Sequence, residues 1–328
     1  MTKLLRRISL QQRLLYLLIW NLLILPTAYA EPKVLVTLKP VHALVSGVMA
    51  GVGQPHLLLT GQESPHTYTL RPSQMGLLEK VDLLIWLGPT VEKFLEKPLT
   101  VLSDSVTILN LLQSSDLTLL KVRTGGTWEQ HDHENTKTAH DSTELSKDKS
   151  HLHPEVGQID GHIWLSPDNA QVIVQIVAKT LSQMDSAHAT IYTANANRLI
   201  ERLKQLAQNL RKQLIPIKDQ PYLVFHDGYQ YFEKYYGLNA VGAIAISPEL
   251  PLSPKRLSEI RQRIQQLKVV CVFTEPQFSP PVLATVVEGM AIQQGTLDPL
   301  GATLPPGTES YFTLLQTLAT HLTECLTP

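Results

Sequence analysis

The sequence has little of several features that mark particular classes of protein. Its 328 residues include only 2 cysteines, with 17 glycines and 22 prolines. These counts exclude a disulfide-framework miniprotein and a collagen-like chain, and a hydrophobic content of 43% excludes a wholly disordered one. The formal net charge of −1 gives no electrostatic reason to expect a nucleic-acid partner. A chain of this length is instead expected to form two domains of ordinary size.

A hydrophobic run long enough to cross a membrane is also missing at the N-terminus. A basic start precedes an apolar run over residues 14–25, which is shorter than the roughly 20 residues that a bilayer span needs. Ala28-Tyr29-Ala30 then supplies the small residues that signal peptidase cleaves. We predict that residues 1–30 are a cleaved signal peptide and that the protein is exported to a bacterial periplasm. An uncleaved anchor is the alternative.

Export affects the interpretation of both charge and cysteines. Removing residues 1–30 takes away four basic and no acidic residues, which changes the formal charge from −1 to −5 and suits a protein that handles cations. In an oxidising compartment Cys271 and Cys325 are expected to pair. Two buried free thiols, or a metal site built on both thiolates, are the alternatives.

Short apolar runs alternate with helical patterns in two halves of the chain. Runs typical of buried strands occur at residues 34–38, 57–59, 83–86 and 107–109, and again at 222–225, 241–244, 269–273 and 292–297. Alternation of strands and helices is typical of parallel sheets that are covered on both faces. We therefore predict two α/β lobes, over residues 31–188 and 216–328.

A long helical pattern lies between the two halves. Apolar residues recur over residues 190–214 at close to helical spacing. A helix of this length would measure about 37 Å. We interpret residues 189–215 as a rigid helix that joins the lobes, with an ordinary surface helix of the second lobe as the alternative.

Residues 123–158 have a different composition from the rest of the chain. They hold five of the 12 histidines and many acidic residues, but almost no large apolar residue. Such a segment cannot bury enough surface to offset the entropy lost on ordering, so we predict a mobile loop. We expect auxiliary, weak zinc sites at its histidines, which are His131, His133, His140, His151 and His153. The alternative is a solvated loop whose histidines bind metal only adventitiously.

Three histidines elsewhere have settings typical of ligand-binding loops. His66 follows the second predicted strand, His162 follows the histidine-rich segment, and His226 ends the first predicted strand of the second lobe. Asp298 follows the last predicted strand. Open α/β sheets bind ligands outside the carboxyl ends of their strands, so these side chains are expected to converge between the lobes. Neutral imidazoles suit the tetrahedral sites that zinc prefers.

These segments resemble a known family. The resemblance is carried by Leu38-Lys39-Pro40-Val41, Ser64-Pro65-His66-Thr67-Tyr68, Gly161-His162-Ile163-Trp164-Leu165, Phe225-His226-Asp227, Phe273-Thr274-Glu275-Pro276-Gln277-Phe278 and Leu297-Asp298-Pro299-Leu300-Gly301. In combination these motifs are similar to those of the periplasmic zinc-binding proteins of high-affinity zinc ABC transporters. Related metal-ion substrate-binding proteins carry manganese and iron. The resemblance covers essentially the whole mature chain.

The resemblance implies two α/β lobes joined by one long helix, with the metal held between them. It also implies a histidine- and acid-rich loop, which residues 123–158 are similar to, and a disulfide between Cys271 and Cys325. The metal ligands that it implies are His66, His162 and His226.

The fourth ligand position is left open. Some zinc-binding members have a glutamate directly before the first histidine ligand, but Pro65 stands there in this chain. Asp298 matches an aspartate of manganese-binding relatives. It can be a ligand, hold a water, or contact a ligand without contacting the ion. Glu275 and Asp227 are further candidates for orienting a ligand histidine.

The function implied by the resemblance is that of a monomeric periplasmic solute-binding protein. It would capture Zn²⁺ between the lobes and deliver it to an inner-membrane ABC permease. Three imidazoles favour zinc over manganese, although copper and nickel would also suit them. A manganese or iron carrier is the alternative. A zinc hydrolase is a weaker one, because the sequence has no His-Glu-x-x-His helix and no obvious general base. We therefore expect no enzymatic activity.

Overall fold

The structure is a computed structural model that describes residues 31–125, 128, 159–245, 252–278 and 281–327. The predicted signal peptide and all five histidines of the predicted loop lie outside these residues. Among the helices in the described part of the chain, none combines the length and the apolar character that a bilayer span requires.

The first half of the chain forms a four-stranded parallel sheet. Its strands are β1 (Val34–Val36), β2 (His56–Leu57), β3 (Leu83–Trp86) and β4 (Thr107–Asn110), in the order β2-β1-β3-β4. The helices of this half are α1 (Lys39–Met49), α2 (Pro72–Leu78) and α3 (Glu96–Leu99). Every residue of the central strands β1 and β3 is buried. Burial on both faces explains why these strands appear in the sequence as continuous apolar runs.

A short ribbon and two long helices come next. The ribbon pairs β5 (Leu120–Lys121) with β6 (Ile159–Asp160) in antiparallel fashion, and no pattern in the sequence predicts it. Helix α4 (Pro167–Met184) begins after Ser166, whose hydroxyl accepts a hydrogen bond from the Asn169 N–H. Helix α5 (Ala189–Leu214) has 26 residues and packs against both α1 and α4.

The second half repeats the arrangement of the first. Its strands are β7 (Tyr222–Val224), β8 (Ala240–Ala243), β9 (Cys271–Thr274) and β10 (Gln293–Thr296), all parallel, in the order β8-β7-β9-β10. Its helices are α6 (Gln230–Tyr236), α7 (Pro254–Gln266), α8 (Pro281–Val287) and α9 (Glu309–Leu326). The prediction of two parallel sheets flanked by helices, with one long helix between them, is confirmed. The exact lobe boundaries at residues 188 and 216 stay a prediction.

The hydrophobic core is not divided at the junction of the two halves. One large cluster contains β1, β3, the buried faces of α1, α4 and α5, much of α9 and part of the second sheet. A smaller cluster packs on the second sheet through residues such as Leu223, Val272, Ile260 and Ile264. Because α9 contacts both α5 and α1, the last helix also links the two halves. The helical pattern of the sequence predicts that role for α5 alone.

Helix α1 begins at Lys39, and Pro40 lies in its first turn, where the missing N–H of proline costs no helical hydrogen bond. A 3₁₀ turn, Lys93–Leu95, leads into α3.

The predicted disulfide is confirmed. Cys271 of β9 and Cys325 of α9 are bonded, with their Cα atoms 5.9 Å apart, which excludes both alternatives for the cysteines. The bridge attaches the last helix to the second sheet.

We expect the Cys271→Ser/Cys325→Ser variant to lose about 4 kcal/mol of unfolding free energy, because the bridge restricts the unfolded chain over a loop of 54 residues. Urea denaturation of the metal-free proteins measures this loss. Wild-type protein with its disulfide reduced is the matched control and should unfold at the midpoint of the variant. A variant as stable as the oxidised wild type would contradict the prediction.

Candidate metal centre

The centre forms at the carboxyl ends of β7 and β9. His226 lies two residues beyond β7 and Glu275 lies directly after β9. These strands are neighbours, and the chain leaves β7 toward β8 on one side before it returns to β9 on the other. Such a switch point is where open α/β sheets bind ligands. It brings Glu275 Oε1 within 2.6 Å of His226 Nδ1.

His162 reaches the same place from the β5–β6 ribbon. β6 ends at Asp160, whose Oδ1 lies 2.7 Å from His162 Nδ1 and accepts the His162 backbone N–H at 3.0 Å. Gly161 between them packs against Thr90 and Val91, and a Cβ at this position would overlap the Val91 side chain. The Asp-Gly-His sequence therefore supplies both the close approach and the partner of the imidazole.

The three predicted histidines meet at one point. His162 Nε2 lies 3.4 Å from His66 Nε2 and 3.2 Å from His226 Nε2. One ring nitrogen from each histidine belongs to a set whose members all lie within 4.8 Å of one another. Zinc–nitrogen bonds of about 2.0–2.1 Å in a tetrahedron place ligand nitrogens about 3.3 Å apart. The cluster therefore has the dimensions of a zinc site.

Two carboxylates determine which nitrogen faces this point. The carboxylates of Asp160 and Glu275 accept hydrogen bonds from Nδ1–H of His162 and His226. Each Nε2 then carries its lone pair toward the shared centre. A carboxylate behind a ligating imidazole fixes its orientation and makes it a stronger ligand.

The protein environment shifts the pKa values of His66 and His226 in opposite directions. Burial, together with the neighbouring His162 and His226, holds the pKa of His66 well below its usual range. Burial also opposes charge on His226, but the Glu275 carboxylate outweighs it and raises the pKa of His226. His66 is therefore neutral near pH 7. Protons compete with a metal ion for His226 up to a higher pH than they do for His66.

The space among the histidines is small. The cavity has a volume of about 10 Å³ and is also lined by Ser64, Trp164, Gln277 and Phe278. That is close to the smallest space that accommodates one water molecule. The site is suited to a single ion and has no room for an organic ligand.

Asp298 does not join the three-histidine cluster. Its Oδ1 accepts the backbone N–H groups of Leu300 and Gly301 and the side-chain amide of Gln277, and its Oδ2 accepts the N–H of Ala302. Its carboxylate thus organises the turn that follows β10. A ligand role for Asp298 stays a prediction.

Other residues of the site were anticipated only in part. Glu275 was a candidate for orienting a ligand, and it contacts His226. Asp227 instead pairs with Arg123. Asp160 was missed, although its position two residues before His162 was a usable signal. Gly228 was missed as well: a Cβ there would lie 2.5 Å from His226 Nε2 and 3.2 Å from His162 Nε2.

The chain matches a family of zinc-uptake proteins. The family model of ZnuA, described as zinc-uptake complex component A periplasmic, matches residues 34–325. The high-affinity zinc uptake system protein ZnuA of Brucella abortus (strain 2308) is 40% identical over 305 residues, which cover 89% of this chain and 91% of that protein. The protein of the same name from Yersinia pestis is 33% identical over 304 residues, covering 92% and 93%.

Solved structures show the same fold. A crystal structure of ZnuA superposes with a TM-score of 0.73 at 21% identity and covers 91% of this chain and 100% of its own. AdcAII of Streptococcus pneumoniae gives a TM-score of 0.70 at 23% identity, with coverage of 90% and 99%. A ZnuA deletion mutant with zinc bound gives 0.70 at 20% identity, with coverage of 91% and 99%.

We expect Gly228→Ala to weaken zinc binding by about 10-fold or more, because the added Cβ displaces His226 and displaced ligands bind metal poorly. Competition with a chelator of known affinity measures the change. Gly76→Ala is the matched control, because a Cβ at Gly76 meets nothing within 4 Å, and it should bind zinc as the wild type does. Equal affinities for Gly228→Ala and wild type would contradict the prediction.

Zinc affinity is expected to be highest above the raised pKa of His226 and to fall as the pH drops through it, by about 10-fold per pH unit for each proton displaced. Glu275→Gln removes the charge that raises this pKa, so the decline should begin at lower pH in that variant. Titrations between pH 5 and 8 measure both curves. Superimposable pH profiles would show that Glu275 does not set the proton competition.

Proposed function

Because the chain belongs to the ZnuA family of periplasmic zinc-uptake components, we propose that it captures Zn²⁺ at His66, His162 and His226. It then delivers the ion to an inner-membrane ABC permease. The ion is cargo, so the chemistry of the site is binding and release, and we propose no catalysed reaction.

The observation that carries this proposal is the spacing of the three imidazoles. Nε2 separations of 3.2 and 3.4 Å about His162 match those of zinc ligands. The carboxylates behind His162 and His226 support it further, because pairs of this kind are typical of histidines that bind zinc.

The donor set also favours zinc over the alternative cargo. Manganese and iron relatives carry more oxygen ligands, and hard ions of this kind prefer carboxylates to imidazoles. In this chain the carboxylate of Asp298 accepts four hydrogen bonds from its own lobe. We therefore propose a site of three nitrogens, with Asp298 supporting the adjacent turn.

Release of the ion is possible because its ligands come from both halves of the chain. His66 and His162 precede α5 in the chain, whereas His226 follows β7 in the second half. Any movement that separates the two halves would withdraw one or two nitrogens from the ion. Affinity falls steeply as ligands are lost, so docking on a permease can loosen the ion in this way.

The remaining parts of the proposal concern residues outside the site. We propose that residues 1–30 direct export and are removed, and that the mature protein of residues 31–328 acts as a monomer in the periplasm. We also propose that His131, His133, His140, His151 and His153 form weak auxiliary zinc sites. In a relative, a ZnuA deletion mutant has been solved with zinc bound.

A competition titration tests the proposed cargo and site together. Metal-free protein is expected to bind one Zn²⁺ tightly in the presence of a large excess of Mn²⁺. His226→Ala should lose about 100-fold or more of this affinity, because a missing ligand costs more than a misoriented one. The matched control is His56→Ala, which removes an exposed histidine of β2. Displacement of zinc by equimolar manganese, or full affinity in His226→Ala, would refute the proposal.

A further inference from the structure

A network of charged side chains joins the two halves beside the metal centre. Arg123 lies two residues beyond β5, and its Nε donates to both oxygens of Asp227 at 3.0 Å. Its Nη2 also contacts Asp227 Oδ1, and its Nη1 lies 2.7 Å from Glu233 Oε2. The guanidinium stacks on Trp128, 3.6 Å from the centre of the ring. One arginine thus holds two carboxylates of the second half.

The network is protected from solvent. The Glu233 side chain is 4% exposed, and those of Arg123 and Asp227 are 22% and 20% exposed. Burial of a carboxylate is unfavourable unless the charge is paired and hydrogen-bonded. The planar guanidinium presents a fork of donors that suits two carboxylates at once. Each of the three side chains therefore restricts the position of the others.

Both ends of the network adjoin a metal-ligand loop. Asp227 directly follows His226 in the chain. Arg123 extends from the β5–β6 ribbon, and the other strand of that ribbon ends at Asp160, the partner of His162. The Arg123–Asp227 pair therefore ties the ribbon that positions His162 to the loop that carries His226.

Helix α6 docks on the same ribbon. The Tyr231 hydroxyl donates to the Asp160 carbonyl at 2.7 Å and accepts the Leu120 N–H at 2.9 Å, while Gln230 donates to the Lys121 carbonyl at 3.0 Å. These bonds fix the helix to both strands of the ribbon. Arg123 extends this docking through its contacts with Glu233 in the helix and with Asp227 in the loop that precedes the helix.

We propose that Arg123 is a positioning residue of the metal centre, an inference that rests on the proposed function. It does not contact the ion. It holds Asp227 against the ribbon and so keeps His226 Nε2 at 3.2 Å from His162 Nε2 before zinc arrives. A site assembled in advance loses less conformational freedom on binding, so its ligand binds more tightly and dissociates more slowly.

The test compares variants of this network with a matched surface pair. Arg123→Lys keeps a positive charge beside Glu233 but lacks the fork, and Asp227→Asn leaves the Arg123–Glu233 pair intact. Arg123→Ala removes the side chain altogether. The control is Arg202→Ala, because Arg202 also pairs with a glutamate, Glu309, at 2.7 Å and stacks on Phe312 at 4.0 Å. That pair is exposed and far along the chain from any ligand.

Four measurements are made on each protein. Chelator competition gives the zinc affinity, and stopped-flow transfer of zinc to excess chelator gives the dissociation rate. The visible absorption of the Co²⁺-loaded protein reports the number and geometry of the ligands. Thermal unfolding of the metal-free proteins records stability separately.

We expect Arg123→Ala and Asp227→Asn to weaken zinc binding by about 10- to 100-fold, with most of the change in the dissociation rate. Arg123→Lys should lose less, and Arg202→Ala should match the wild type. The double variant Arg123→Ala/Asp227→Asn should lose no more affinity than the larger single effect, because both substitutions remove the same contact. The cobalt spectrum should change in the network variants and stay unchanged in Arg202→Ala.

Wild-type zinc affinity and an unchanged cobalt spectrum in Arg123→Lys and Asp227→Asn would overturn the positioning role. An equal loss of zinc affinity in Arg202→Ala would also overturn it, because the loss would then reflect reduced stability of the protein and not the position of His226. Failure of the proposed function looks different: the wild type itself would then fail to bind zinc tightly.

Discussion

The structure depends on bringing three imidazoles together in a space that only one ion can fill. Nitrogen lone pairs that face one another at 3.2 and 3.4 Å are not attractive by themselves. The carboxylates of Asp160 and Glu275 offset this by holding the outer nitrogens of His162 and His226. Because each carboxylate also accepts a backbone N–H of the histidine that it orients, ring and main chain are positioned together.

The surrounding structure keeps the two halves in contact around this cluster. Lys39 of α1 donates to the carbonyl oxygens of Gly301, Ala302 and Leu304 in the second half, at 2.7, 3.1 and 2.9 Å. The Trp164 indole of the first half also donates to the Pro299 carbonyl of the same turn, which follows β10. The carbonyl groups of this turn therefore bind the first half, while its N–H groups bind Asp298.

Much of the fold could be predicted because its strands are buried on both faces. Continuous apolar runs such as that of β3 leave few alternatives to a parallel sheet. The β5–β6 ribbon could not be predicted, since strands of two residues have no periodicity and pair across more than thirty residues of polar sequence. The linking role of α9 was also missed, because an amphipathic pattern shows which face is buried but not which neighbours bury it.

The sequence by itself determined the chemistry of the site: three histidines, two after predicted strands and one after the histidine-rich segment, and a disulfide made from the only two cysteines. Only the tertiary structure decided which atoms meet. It placed the carboxylates of Glu275 and Asp160 behind the imidazoles. It also hydrogen-bonded the Asp298 carboxylate to the turn that follows it and paired Arg123 with Asp227. The reason is physical. Residue type sets what a side chain can bind, but hydrogen bonds between residues up to 265 positions apart depend on strand order and register, which no local pattern encodes.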